Sequence, residues 1–173
     1  MRSLTVHSQQ GFSQIEIIIV LVVMGILGTI AAPSFLNWVN TRKLDVGLAE
    51  LKGTLIEGQN QAIRLSKTCT INLPTGSNSV LSSTPADCLR NGDRTLEGLQ
   101  LRHSFATPSL SFNFKGRVPP SLSSEQTVVL SVANEISSPS KCLVIAPGIG
   151  LIRVGTYTGS PTTALASNCK TST

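Results

Sequence analysis

From Ile17 through Val39 the chain carries no formal charge, and Glu16 stands directly at the lip of that run. Such a stretch is long enough to cross a bilayer, which takes roughly 20 apolar residues of helix. A carboxylate at its edge is conspicuous. Driven toward a bilayer centre it costs up to ~2.5–3.5 kcal/mol, so it needs a partner or a purpose. An ordinary anchor keeps its charges outside the apolar run. Here a short polar stretch ends in Gly11, Phe12 opens the segment, and Glu16 follows within it. Beyond residue 40 the composition turns to Ser, Thr, Gly and Pro, as in a soluble β-rich domain. With 173 residues the chain has room for one domain and an anchor, hardly for two domains.

The net charge of +5 is dispersed, with Arg42-Lys43 a rare adjacent pair and acids scattered among the bases. A solvated mixed-charge surface is favoured over a nucleic-acid footprint, which needs a basic run or stripe. All four cysteines, Cys69, Cys88, Cys142 and Cys169, lie beyond the apolar run. An even count there reads as two disulfides formed in an oxidising compartment. Three connectivities exist, and sequence order favours Cys69–Cys88 with Cys142–Cys169. The second would tie the tail from Thr156 to Thr173 to a core strand. Zinc is the weaker reading, because no C-x-x-C spacing occurs and His7 and His103 stand alone. No metal and no cofactor is expected. Nor is an enzyme: there is no G-x-S-x-G, P-loop or H-E-x-x-H, and the serines lack a credible His partner.

Two plainer readings compete for the N-terminus. A secretory signal would need a basic start and a small-x-small cleavage site. Arg2 is the only basic residue ahead of the core, and Thr29-Ile30-Ala31 is a weak site. The apolar pattern also continues past Pro33 through Phe35, Leu36, Trp38 and Val39, and Glu16 is left unexplained. Alternatively, Ser13-Gln14-Ile15-Glu16 fits the S-x-x-E capping box of a helix start. Glu16 would then gain ~0.3–1 kcal/mol from the helix dipole. A capping box does not require Gly-Phe in front of it.

These residues, from Gly11 to about Val39, resemble the class III (prepilin-type) signal of type IV pilins and type II secretion pseudopilins. Pro33 falls where those proteins commonly carry a helix-disturbing proline. Gln14 departs from the pattern by interrupting the apolar run near its start. The resemblance implies an aspartyl prepilin peptidase that cuts between Gly11 and Phe12 on the cytoplasmic side and N-methylates Phe12. It implies that Glu16 neutralises the N-terminal amine of a neighbouring subunit. Two lone charges in hydrocarbon are each costly, whereas a paired amine and carboxylate offset one another. The implied partners are the peptidase, other pilin or pseudopilin subunits, an inner-membrane assembly platform and membrane lipid. The implied location is the inner membrane with the head in the periplasm, then a pilus or pseudopilus.

After Pro33 a second helical pattern sets in. Leu44, Leu48, Leu51, Leu55 and Ala62 mark one face of an amphipathic helix, with Asp45, Glu50, Lys52, Glu57, Arg64 and Lys67 mostly elsewhere. A single helix from Phe12 to about Ser66 would reach ~80 Å at 1.5 Å per residue. The remainder reads as short strands at Thr70–Leu73, Leu99–Phe105, Leu110–Phe114, Thr127–Val132, Lys141–Ala146 and Gly150–Val154. The last two form a hairpin turning at Pro147-Gly148. The expected organisation is a prepilin leader over 1–11, a transmembrane and assembly helix over 12–39, an amphipathic helix over 40–67 and a β-rich head over 68–173. The fold class is α+β: a long N-terminal helix packed on an antiparallel β-sheet head.

Phe112-Asn113-Phe114-Lys115-Gly116-Arg117, with the later Gly150-Leu151-Ile152-Arg153, resembles the GspH/FimT group of minor pilins and pseudopilins over about Leu110 to Gly155. In some FimT-like members a G-R-x-R element at the second position is associated with DNA. Here Leu151 replaces its first arginine, which weakens a DNA role for Arg117 and Arg153. Arg153 is expected to face outward from a strand and Arg117 to sit in a turn. The expected function is a minor pilin or pseudopilin. The alternatives are a DNA-binding minor pilin for uptake and a simple tethered or secreted β domain.

Overall fold

The computed structural model describes residues 11–119, 124–133 and 139–171, with the side chains of positions 30–33 and 171 outside that set. The chain divides into two compact units, one ending at Trp38 and the other comprising Val39–Thr173. One long helix, α1 (Gln14–Arg64), supplies the first unit and the beginning of the second.

Within the second unit the leucine stripe of α1 is the organising element. Leu44, Leu51, Leu55 and Ala62 are fully buried, and Leu48 nearly so. Each buried leucine contributes ~1.5–3 kcal/mol relative to exposure. The helix can lie close to the strands because glycine stands at two of its contact positions. A Cβ at Gly47 would come within 2.1 Å of Leu99 Cδ1, and one at Gly58 within 2.7 Å of Ile71 Cδ1. The helix ends in a Schellman turn. The Lys67 amide donates to the Ala62 carbonyl and the Ser66 amide to that of Ile63, while Ser66 itself takes φ 51°. Ser, rather than the usual Gly, occupies that left-handed position.

Among the described residues ten strands follow, all paired antiparallel: β1 (Cys69–Asn72), β2 (Gly76–Ser77), β3 (Val80–Thr84), β4 (Arg94–Thr95), β5 (Leu99–His103), β6 (Ser109–Phe112), β7 (Gln126–Val132), β8 (Ser140–Ile145), β9 (Ile152–Tyr157) and β10 (Cys169–Thr171). They make a four-stranded sheet, β4-β3-β1-β6, and a six-stranded sheet, β10-β9-β8-β7-β5-β2. β7 is buried along its whole length, as a central strand covered on both faces should be. Val128 and Leu130 join the main core with Leu101, Leu143 and Ile145, whereas Val129, on the opposite face, joins Cys142, Tyr157 and Ala164 in a second, smaller cluster.

The strand expectations need adjusting at their ends. The segment expected over Leu110–Phe114 stops at Phe112, because the Asn113 carboxamide oxygen accepts from the amides of Lys115 and Arg117 and folds the chain into a turn. β9 begins two residues later than expected and runs on to Tyr157. β2, β3, β4 and β10 were not expected at all. The Cys142–Val154 hairpin does turn at Pro147-Gly148, where Gly148 takes φ 75°.

Candidate functional site

The first candidate site lies at the start of α1. Ser13 contributes its main-chain carbonyl, which accepts from the amides of Glu16 at 3.0 Å and Ile17 at 3.2 Å. Among the described residues the side-chain bonds of a capping box are not formed, although Glu16 lies in the first turn of α1, where the helix dipole favours an acid. Glu16 is exposed and has no ion-pair partner among the described residues. Around it the apolar side chains are bare on every side of the helix. Phe12 is 74% exposed, and Ile15, Ile17, Ile18, Leu21, Val22, Met24 and Leu27 are each half exposed or more. A helix that is apolar all round is normally covered by lipid or by other protein. No single helix among the described residues is long and apolar enough to cross a membrane. Gln14–Thr29 and Ser34–Arg64 meet that length and composition only when taken together. Gly11 is exposed beside Phe12. The side chain of Pro33 lies outside the described set.

The second candidate site was Arg117 with Arg153. Asn113 closes the turn before Arg117, its amide donating to the Arg117 carbonyl at 2.9 Å. Gly116 adopts φ 69° there, and Gln59 Nε2 of α1 donates to its carbonyl at 2.8 Å. The Val118 amide reaches the Gly148 carbonyl at 3.2 Å, so the segment carrying Arg117 meets the turn that leads to Arg153. Both arginines are exposed. Their electrostatics differ, however: Arg153 forms an ion pair with Glu125, which neutralises it locally. Phe114, Ile149 and Leu151 on these turns are more than half exposed.

The cysteines are joined Cys69–Cys88 and Cys142–Cys169. The second bond links β8 to β10 across the outer face of the larger sheet. There the Tyr157 hydroxyl donates to the Thr163 carbonyl at 2.8 Å and accepts from the Leu165 amide at 3.2 Å. Burial alone would raise the Tyr157 pKa, but these bonds, the Asn168 side chain and the neighbouring Arg102 charge leave it below the usual phenol value. His103 ends β5, stacked on Phe105 with ring centroids 4.8 Å apart. Its ring nitrogens are shielded and unbonded among the described residues. Burial holds its pKa below the usual imidazole value, opposed by the nearby backbone of Phe105 and Leu73. Among the described residues no three His, Cys, Asp or Glu side chains gather as a metal site would require.

One group of polar residues escaped the sequence reading. Glu57, Asn60, Gln61 and Arg64 line a groove on α1 with Arg90 and Asn91. Their three- and four-residue spacings place them on adjoining helical rows, a signal present in the sequence but shared with any solvated helix face.

No protein-family model matches the chain, and no curated protein sequence matches it. Two solved structures are similar to it, both of the type IV minor pilin FimU of Pseudomonas aeruginosa, in different crystal forms. One is 14% identical with a TM-score of 0.53, covering 75% of this chain and 97% of that one. The other is 15% identical with a TM-score of 0.50, covering 71% and 98%. At such identity the likeness is one of fold, and the fold is pilin-like.

Proposed function

We propose that this chain is a minor subunit of a type IV pilus or a related pseudopilus, inserted in the inner membrane by α1 and then drawn into a filament through that helix. The pilin-like fold supports a structural role of this kind. The single observation that carries the reading is the bare apolar start of α1, which follows the exposed Phe12 and holds the unpartnered Glu16. In the proposed pathway a prepilin peptidase cuts between Gly11 and Phe12 and methylates the new amine. Glu16 then pairs with the N-terminal amine of a neighbouring subunit. An unpaired carboxylate held at an apolar boundary is costly, and relieving it would set the axial register of the incoming subunit.

The test is intact mass and N-terminal sequencing of the native protein extracted from membranes. The reading expects a chain that begins at Phe12 and bears one added methyl group. A start after Ala31, or an uncut Met1, would overturn it. Glu16→Gln should leave processing intact but deplete the subunit from sheared filaments, because Gln keeps the shape and loses the charge. A DNA-uptake role is the lesser reading, since Leu151 interrupts the arginine pair and Glu125 occupies Arg153.

A further inference from the structure

A groove of about 830 Å³ runs along α1 from Gly53 to Arg64, walled on its far side by Arg90 and Asn91. Its one acid is already engaged. Glu57 Oε2 accepts from the Arg94 guanidinium at 2.5 Å and Oε1 from the Arg90 amide at 2.8 Å. Arg64 and the Arg90 side chain have no ion-pair partner among the described residues, so the groove carries two uncompensated guanidiniums. Gln61 is only 6% exposed, yet its carboxamide forms no hydrogen bond among the described residues, and it lines the same groove. Its polar atoms are not sealed from solvent, so they open onto the groove, where a bound chain can pair with them. Asn60 and Asn91 add two more unpartnered carboxamides.

We propose that this groove binds an extended acidic peptide segment belonging to a different subunit of the assembly. Carboxamides donate and accept at once, which matches the alternating N–H and C=O groups of an extended chain. Guanidiniums grip carboxylates in two-pronged fashion. Nucleic acid fits less well, because no aromatic side chain lines the groove to stack a base. A second copy of this chain also fits less well: at +5 each, two copies repel, whereas an acidic partner is attracted. The identity of the partner as a filament subunit rests on the function proposed above. The binding chemistry does not.

The experiment uses the full chain in a nonionic detergent and a fluorescent peptide of alternating Asp and Ser, read by anisotropy at low salt. The peptide should bind, and its Asn-for-Asp counterpart should bind at least about tenfold more weakly. Arg64→Gln combined with Arg90→Gln should weaken binding by a similar factor without lowering Tm, since neither side chain holds the fold through an ion pair. Gln61→Leu should weaken binding while leaving Tm unchanged or higher, an outcome a purely structural glutamine would not give. No binding, or binding indifferent to these substitutions, overturns the proposal. So does displacement of the peptide by an oligo-dT strand at lower concentration than unlabelled peptide, which would assign the groove to nucleic acid. The N-terminal mass of the native protein is untouched by any of these results, so the two readings fail separately.

Discussion

The Glu57 carboxylate and the Arg94 guanidinium are held 2.5 Å apart with only about a fifth of each side chain in solvent, at 19% and 20%. The pair joins α1 to β4, and Arg94 Nη1 also donates to Thr54 Oγ1 at 3.0 Å. Removing Glu57 leaves the Arg94 guanidinium mostly buried and uncompensated, with the Arg90 amide deprived of its acceptor as well. Glu57→Ala should therefore cost about 1–3 kcal/mol. Thermal unfolding of the detergent-solubilised chain measures it. The double variant with Arg94→Met should recover part of the loss.

Two glycines of α1 should respond in opposite ways to the same substitution. Alanine in a helix interior gains about 1 kcal/mol over glycine. At Gly53 nothing lies within 4 Å of the added carbon, so Gly53→Ala should stabilise by up to about that amount. At Gly47 the new carbon would meet Leu99 Cδ1 at 2.1 Å, and Leu99 is 2% exposed in the core. Repacking an overfilled core costs about 1–3 kcal/mol, which outweighs the helix gain. Gly47→Ala should lower Tm, and the pair of variants measured side by side separates propensity from packing.

Replacing Cys142 and Cys169 together by Ser should cost about 3–4 kcal/mol, from the loop entropy of a 27-residue separation. It should also release the cover over Tyr157. Limited proteolysis should then cut between Thr158 and Asn168 well before the rest of the head is attacked. Equal resistance in both proteins would mean that the Tyr157 hydrogen bonds alone hold the tail.

Acid should weaken the head through His103. Its folded pKa lies below the ordinary imidazole value because burial disfavours the charged ring. The unfolded chain therefore takes up the proton first as pH falls. The stabilisation is complete above about pH 6.5, the unfolded value, and declines below it toward the folded pKa. His103→Gln should flatten that part of the Tm–pH curve relative to the native chain. Parallel curves would refute the assignment.

What could be read in advance was what local pattern encodes. Leu44, Leu51 and Leu55 announced the buried face of α1 by spacing alone, and Pro147-Gly148 announced its hairpin. β3 stayed hidden because Val80-Leu81-Ser82-Ser83-Thr84 buries only Leu81 and offers no alternation. β2 and β4 are two residues each, too short for any period. The partnership of Glu57 with Arg94 joins positions 37 residues apart, and only the tertiary fold brings them together. Ser66 at positive φ gave no warning, since glycine is the residue that normally signals such a turn. At the start of α1 the capping-box pattern was legible, yet its side-chain bonds are not made.

The flanks of the sheets carry one more consequence. β10 and β2, which bound the larger sheet, are three and two residues long, and β4 at one border of the smaller sheet is two. An open border this short offers a neighbouring chain too few free amides and carbonyls to extend the ladder. At these three borders, heads crowded together at high local concentration would thus be denied the strand-to-strand stacking by which β domains precipitate; β6, the fourth border, is four residues long. Polymerisation, where it occurs, is steered to side chains and helices, whose contacts can be made and undone.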